Sequence, residues 1–221
     1  MKTTRRCTGS VVVIAAVLFA PLSSMAEDDV IVGDFLAGSL TGWQEKVFKG
    51  KTRYQLINHG AGKVLKADSR ASASGLFREM KIDLLKTPCM TWSWKVDGIL
   101  DGLDETTKGG DDYPARVYVV FSDGLFFWQT RALNYVWSSG HAVGVAWPNA
   151  YTDRSINVAA QSGPARVGQW VVQSRNIRDD YKRFVGGDIS QADAVAIMTD
   201  TDDSGRSATA YYGEVRFTPS C

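Results

Sequence analysis

The segment Cys89–Val96, CMTWSWKV, decides the fold class of this chain. From Met90 to Val96 every second residue is large and apolar, and the residues between them are threonine, serine and lysine. Successive side chains of an extended strand point to opposite faces, so a period of two is typical of a strand with one face buried. The segment therefore predicts a β-strand that directs two tryptophans into a hydrophobic core.

The same alternation recurs along most of the chain. In residues 115–121, ARVYVVF, it predicts that Arg116 and Tyr118 point away from the core. Further strands are predicted at 53–60, 63–69, 75–83, 125–137, 170–177, 194–200 and 208–217. Many short strands separated by turn-forming clusters are typical of a β-sandwich. We therefore predict an all-β, antiparallel β-sandwich of the jelly-roll type, with one short helix in 175–186 that ends near Gly186.

The first 26 residues have the pattern of a secretory signal peptide. A basic start with Lys2, Arg5 and Arg6 precedes an apolar run from Val11 to Leu22, and small residues follow up to Ala26. This run is shorter than the roughly 20 residues that span a bilayer as a helix. We expect cleavage after Ala26, a single domain over 27–221 without a transmembrane segment, and a bacterial periplasmic or secreted location.

Charge and cysteine content narrow the class of protein. Loss of the three basic leader residues leaves 22 of the 25 Lys and Arg residues against 24 Asp and Glu, which does not favour a nucleic-acid partner. Cys89 and Cys221 would be the only cysteines left, and an oxidising compartment favours a disulfide between them. A free C-terminal cysteine or an intermolecular bond are the alternatives.

Four segments together resemble a bacterial exported family known as domain of unknown function 3047. They are GGDDYPARVYVVF at 109–121, ALNYVWSS at 132–139, RNIRDDYKRFVG at 175–186 and AIMTDTDDSGRSATAYYGEVRF at 196–217. The resemblance covers the chain from about residue 32 and implies almost no chemistry. The chain also resembles jelly-roll carbohydrate-binding modules in its Gly-Trp after the first strand and in Glu214 within the last strand. Those modules often hold a structural calcium, but their Phe-Glu pair at the first strand is replaced here by Phe35-Leu36.

An acidic loop, TDTDDSG at 199–205, is a candidate metal site. Asp200, Asp202, Ser204 and Gly205 match the start of an EF-hand calcium loop, in which oxygens at alternate positions converge on the cation. The match ends at the twelfth position, where Tyr211 replaces the bidentate glutamate. The loop thus predicts either a calcium site, with Asp200, Asp202 and Asp203 as ligands, or an acidic turn that needs no metal.

A second candidate site lies at 109–119. If strand alternation extends back from Arg116, then Asp112 lies on the same face, where the two form an ion pair or grip a polar ligand. Asp111 and Asp112 would point to opposite faces, so acid–base catalysis needs a further carboxylate such as Glu214 or Asp200.

Aromatic residues next to amides and charges suggest a carbohydrate groove, although aromatic residues also fill β-sandwich cores. Trp128, Tyr135 and Trp137 are concentrated in 126–137 together with Asn134. The predicted ligand contacts are Asp112, Arg116, Asn134, Tyr135, Trp137 and Tyr212.

The favoured hypothesis is an exported, non-catalytic domain that binds a glycan or another polar cell-envelope component. It requires no cofactor, although calcium is possible, and it predicts that Arg116→Ala weakens binding without unfolding the domain. The alternative is a polysaccharide hydrolase or lyase that uses Asp111, Asp112 and Glu214. A third reading is an envelope protein whose aromatic surface binds another protein. The oligomeric state is left open.

Overall fold

A computed structural model describes residues 29–122 and 130–221. The predicted signal peptide and Trp128 lie outside these described residues. Thirteen strands are present in the described part: β1 Val30–Gly33, β2 Gln44–Lys49, β3 Arg53–His59, β4 Gly62–Arg70, β5 Ala73–Asp83, β6 Cys89–Val96, β7 Arg116–Ser122, β8 Thr130–Ser138, β9 Ala146–Pro148, β10 Ser155–Ser162, β11 Val171–Asn176, β12 Gln191–Met198 and β13 Ser207–Thr218.

The strands form two sheets. The six-stranded sheet has the order β11-β6-β13-β4-β3, with β1 paired to β13 off this path. The seven-stranded sheet has the order β2-β5-β12-β7-β8-β10-β9. All neighbours are antiparallel except β8 and β10, which are parallel. The predicted β-sandwich is confirmed, with this one parallel pair as a departure from the antiparallel prediction.

The core lies between the sheets and follows from the alternation in the sequence. On β6, Trp92 and Trp94 are buried, and on β8 Tyr135 and Trp137 are fully buried. The ring of Trp92 lies 5.3 Å from that of Tyr135, and the ring of Trp94 lies 6.0 Å from that of Trp137. Aromatic rings at such distances add favourable contacts beyond their burial, so they join the two sheets at the centre of the core.

The predicted helix is confirmed as α1, Ile177–Phe184. The side chain of Asn176 accepts a hydrogen bond from the backbone N–H of Asp179, which caps the first turn. Ile177 and Tyr181 lie one turn apart and are buried against the core. Gly186 has φ +93°, a left-handed conformation that ends the helix at little steric cost.

The predicted disulfide is present between Cys89 at the start of β6 and Cys221 at the end of the chain. The two half-cystines are separated by 132 positions in the sequence. The bond thus closes a loop that includes three strands of the six-stranded sheet and five of the seven-stranded sheet. In the part of the chain that is described, no helix is long and apolar enough to cross a membrane.

Candidate functional site

An open groove lies on the outer face of the seven-stranded sheet. Its volume is about 910 Å³, and its lining comes from four neighbouring strands and the start of β8. The lining side chains include aromatic, small and charged residues: Lys46, Phe48, Gly75, Phe77, Glu79, Met80, Lys81, Tyr118, Val120, Ser122, Thr130, Asp193, Ala194, Ala196, Ile197 and Met198. A groove of this size is within the range of small-molecule and oligomer binding sites.

Strand register determines the cross-section of the groove. Phe77 on β5 pairs with Ala196 on β12, and Ala196 pairs with Tyr118 on β7. Neighbouring strands are about 4.8 Å apart, so the two aromatic residues stand on either side of a floor of small side chains. Ala194 extends this floor along β12. The result is a trough with an aromatic residue on each side.

The part of the same face next to the groove is covered by the long loop between β6 and β7. Glu105 of this loop is buried and accepts a hydrogen bond of 2.5 Å from the Ser138 hydroxyl. The imidazole of His141 lies 2.9 Å from Glu105 and stacks on Trp147 at 3.9 Å. Gly110 passes so close to the loop backbone that a Cβ would lie 2.1 Å from a carbonyl oxygen. The loop therefore forms a packed wall against β8 and β9, and no residue of this wall lines the groove.

Arg116 is the centre of a buried polar network at the border between wall and groove. Its Nε donates to Asp200 at 2.8 Å, and its Nη2 forms an ion pair with the same carboxylate. Its Nη1 donates to Asp111 at 3.4 Å and to the Tyr118 hydroxyl at 3.0 Å. Burial raises the pKa of Asp200 above its usual value, and the charge of Arg116 opposes this shift. A single guanidinium thus holds two buried carboxylates and one aromatic side chain of the groove.

Tyr118 connects this network with the groove. Burial raises the pKa of its hydroxyl to about 12, although Arg116 acts in the opposite direction. The phenol is therefore neutral at physiological pH and accepts the hydrogen bond from Arg116. Its ring is consequently held in place as one side of the trough.

All six predicted ligand contacts are buried: Asp112, Arg116, Asn134, Tyr135, Trp137 and Tyr212. Tyr135 and Trp137 face the core, whereas Asn134 faces outward beneath the wall and donates to Asn157 at 2.7 Å. The Tyr212 hydroxyl accepts from the Arg116 backbone N–H at 3.3 Å. Their positions do not fit a surface groove, because three lie in the core and the other three lie beneath loops or within the polar network.

The predicted ion pair between Asp112 and Arg116 is wrong. Strand β7 begins only at Arg116, so alternation does not extend back through Pro114. Asp112 instead accepts the backbone N–H of Ser204 at 2.6 Å and that of Asp203 at 3.3 Å. Asp112 therefore holds the acidic loop against the long loop.

The carboxylates of the catalytic alternative are not brought together. Asp111 is buried and accepts from the Asn149 amide at 3.0 Å as well as from Arg116. Glu214 forms an ion pair with Arg216 and lines a separate cavity of about 600 Å³ on the outer face of the six-stranded sheet. Asp111 and Asp112 share no partner with Glu214 among the described residues, so the proposed acid–base pair has no common cleft.

Three carboxylates lie close together at the acidic loop, but they differ from the predicted set in one member. Oxygens of Asp112, Asp202 and Asp203 lie within 4.8 Å of one another. Asp200 points away and binds Arg116. Burial, with the charges of Asp203 and Asp112, raises the pKa of Asp202. In this carboxylate cluster, Asp112 thus occupies the position that the sequence analysis assigned to Asp200.

Calcium binding at this loop stays a prediction, and thermal unfolding tests it. If calcium binds the folded state only, a concentration 100 times the dissociation constant stabilises the domain by about 2.7 kcal/mol. We expect the midpoint to rise with calcium in the natural protein and in Asp193→Asn, but not in Asp202→Asn. An equal midpoint after chelation would identify the loop as an acidic turn.

The comparisons with known proteins identify the family. The model of the family described as "Protein of unknown function (DUF3047)" matches residues 41–216. This chain belongs to that family. No curated protein matches this chain.

Several solved structures are similar to this chain at low identity. The family 11 carbohydrate-binding module of cellulase Lic26A-Cel5E from Clostridium thermocellum is 10% identical, with a TM-score of 0.48 over 87% of this chain and 95% of that one. The family 30 module of Cel9D-Cel44B from Clostridium thermocellum is 10% identical, with a TM-score of 0.49 over 86% and 96%. The Emp47p carbohydrate recognition domain is 11% identical, with a TM-score of 0.47 over 92% and 100%. The function of this DUF3047 member therefore has to be inferred from its own groove.

Sequence reasoning missed the principal groove residues Phe48, Phe77, Lys46 and Lys81. One signal was present, because alternation along 75–83 places Phe77, Glu79 and Lys81 on one face of a predicted strand. No such signal marked β2, all of whose residues are exposed. Pairing of β2 with β5 brings Lys46 and Phe48 to the groove.

Proposed function

We propose that this protein is an exported domain that binds a glycan in the groove of the seven-stranded sheet. The observation that carries the proposal is the trough in which Phe77 and Tyr118 flank the small side chain of Ala196. Flat aromatic faces suit the apolar faces of sugar rings, and nearby polar groups suit their hydroxyls.

Phe48 adds an exposed aromatic surface at the edge of the groove. Its side chain is 61% exposed and lies in the lining together with Phe77, so it enlarges the apolar surface that the groove offers. The ammonium of Lys46 lies 5.3 Å from the centre of its ring. A stacking surface and a hydrogen-bond donor therefore stand side by side.

Export is part of the proposal. The basic and apolar pattern of residues 1–26 supports a cleaved signal peptide. A disulfide between Cys89 and Cys221 is typical of proteins in oxidising compartments such as the periplasm or the extracellular space. Both features fit a domain that meets cell-envelope or extracellular glycans.

The test is binding of residues 27–221 to a panel of polysaccharides, measured by affinity electrophoresis and calorimetry. We expect Phe77→Ala to weaken binding about thirtyfold or more, because central aromatic contacts contribute about 2 kcal/mol or more. Val172→Ala is the control, because Val172 is apolar and exposed but lies on the other sheet. Equal binding by Phe77→Ala and the natural protein would contradict the assignment of the groove.

A further inference from the structure

The groove lining contains two lysines and two carboxylates, and one of the two carboxylates is already hydrogen-bonded by the protein. Lys46 on β2 and Lys81 on β5 line it, and neither forms an ion pair with another described residue. Glu79 is an unpaired carboxylate in the lining. The second carboxylate, that of Asp193, already accepts hydrogen bonds from the protein at both oxygens.

The hydrogen bonds of Asp193 occupy one acceptor position on each of its oxygens and so reduce its competition for donors of the groove. One oxygen accepts the backbone N–H of Ser122 at 2.8 Å, and the other accepts the Gln191 amide at 2.6 Å. Its charge is partly offset by these donors, whereas the ammonium groups of the two lysines keep their hydrogen-bonding capacity. The free donors of the groove thus exceed its free acceptors.

The two lysines lie on either side of Phe77 along the direction of the strands. Lys46 pairs with Gly75, and Lys81 is six positions further along β5, so their backbones are about 20 Å apart at about 3.3 Å per residue. Phe77 lies between them on the same face. A sugar ring stacked on Phe48 or Phe77 would bring a ring carboxylate within reach of an ammonium group, and such charge-assisted hydrogen bonds are stronger than neutral ones.

We propose that the ligand of this groove is an acidic polysaccharide whose sugar rings carry carboxylates, that is, a uronate-containing chain. This inference rests on the proposed function, since it assigns the chemical class of the glycan bound in the same groove. Lys46 and Lys81 bind carboxylates, and the aromatic residues bind the rings. Glu79 repels the chain and lowers its affinity.

The experiment compares several uronate polymers, namely polygalacturonate, alginate and hyaluronan, each with its carboxyl-reduced neutral form. We expect at least one acidic polymer to bind about tenfold or more tightly than its neutral form, with affinity that falls as salt is added. Lys46→Gln and Lys81→Gln should each weaken binding of the acidic form about three- to tenfold. Glu79→Gln should strengthen it, and Lys86→Gln, an exposed lysine outside the groove lining, should have no effect.

The outcomes separate this inference from the proposed function. Equal affinity for the acidic and carboxyl-reduced forms, or binding of neutral glycans only, would overturn the uronate assignment and keep glycan binding. Equal binding of poly-L-glutamate, which has carboxylates but no sugar rings, would also overturn it, since charge alone would then suffice. No binding to any polysaccharide would overturn both.

Discussion

Replacement of Arg116 by alanine is expected to lower the free energy of unfolding by about 3–5 kcal/mol. Arg116 is buried and holds the buried carboxylates of Asp200 and Asp111. Removal of one partner from a buried charge pair leaves the others desolvated and uncompensated. This expectation replaces the sequence-based one, in which Arg116 lay on the surface and its loss affected only binding.

Urea denaturation followed by tryptophan fluorescence measures the effect. Arg178→Ala is the control, because Arg178 forms its ion pair with Asp188 on the surface and its loss should not change the midpoint measurably. Removal of Asp200 together with Arg116 should recover part of the lost stability, since one unpaired carboxylate is then absent. A domain with Arg116→Ala as stable as the natural one would show that the network does not stabilise the fold.

The network has two roles, which are to stabilise the domain and to hold the Tyr118 ring, and a second variant separates them. Arg116 holds the hydroxyl of Tyr118, so its loss frees one side of the trough as well as destabilising the domain. Tyr118→Phe keeps the ring and the buried charges but removes the hydroxyl that Arg116 binds. Comparison of the two variants therefore distinguishes a loss of stability from a loss of ring position.

Loss of the disulfide between Cys89 and Cys221 is expected to cost about 2–5 kcal/mol, or about 5–15 °C in midpoint. The bond closes a loop with a sequence separation of 132, and cross-links across long loops restrict the unfolded chain most. It also anchors the residues after β13, a strand that lies between β6 and β4 in the six-stranded sheet.

Thermal unfolding of the natural protein with and without a reductant measures this effect. The Cys89→Ser, Cys221→Ser double variant should unfold at the lower temperature whether or not the reductant is present. A midpoint that the reductant does not change in the natural protein, with the bond verified by thiol titration, would contradict the expected contribution.

The limits of sequence reasoning are clearest at the strands that it missed. Strand β10 has four consecutive buried residues, Asn157 to Ala160, so its pattern lacks the period of two. Strand β2 lacks it for the opposite reason, because all its residues are exposed. Alternation reports a strand only when one face is buried and the other is not.

The candidate site was less predictable than the fold for a related reason. Arg116 and Tyr118 were both expected to face outward, and both do lie on the outer face of β7. Only the folded chain shows that the long loop covers Arg116 while Tyr118 borders the groove. Exposure of an outward residue depends on segments that are distant in the sequence.

By itself, the sequence determined the β-sandwich class, the tryptophan core and the helix, and it favoured a disulfide between the two cysteines. These follow from local periodicity, capping residues and cysteine count, each of which acts over a few residues or has few alternatives. The tertiary structure alone decided that Asp200 binds Arg116 and that Lys46, Phe77 and Tyr118 share one groove. Those groupings depend on strand order and register, which join residues that are far apart along the chain.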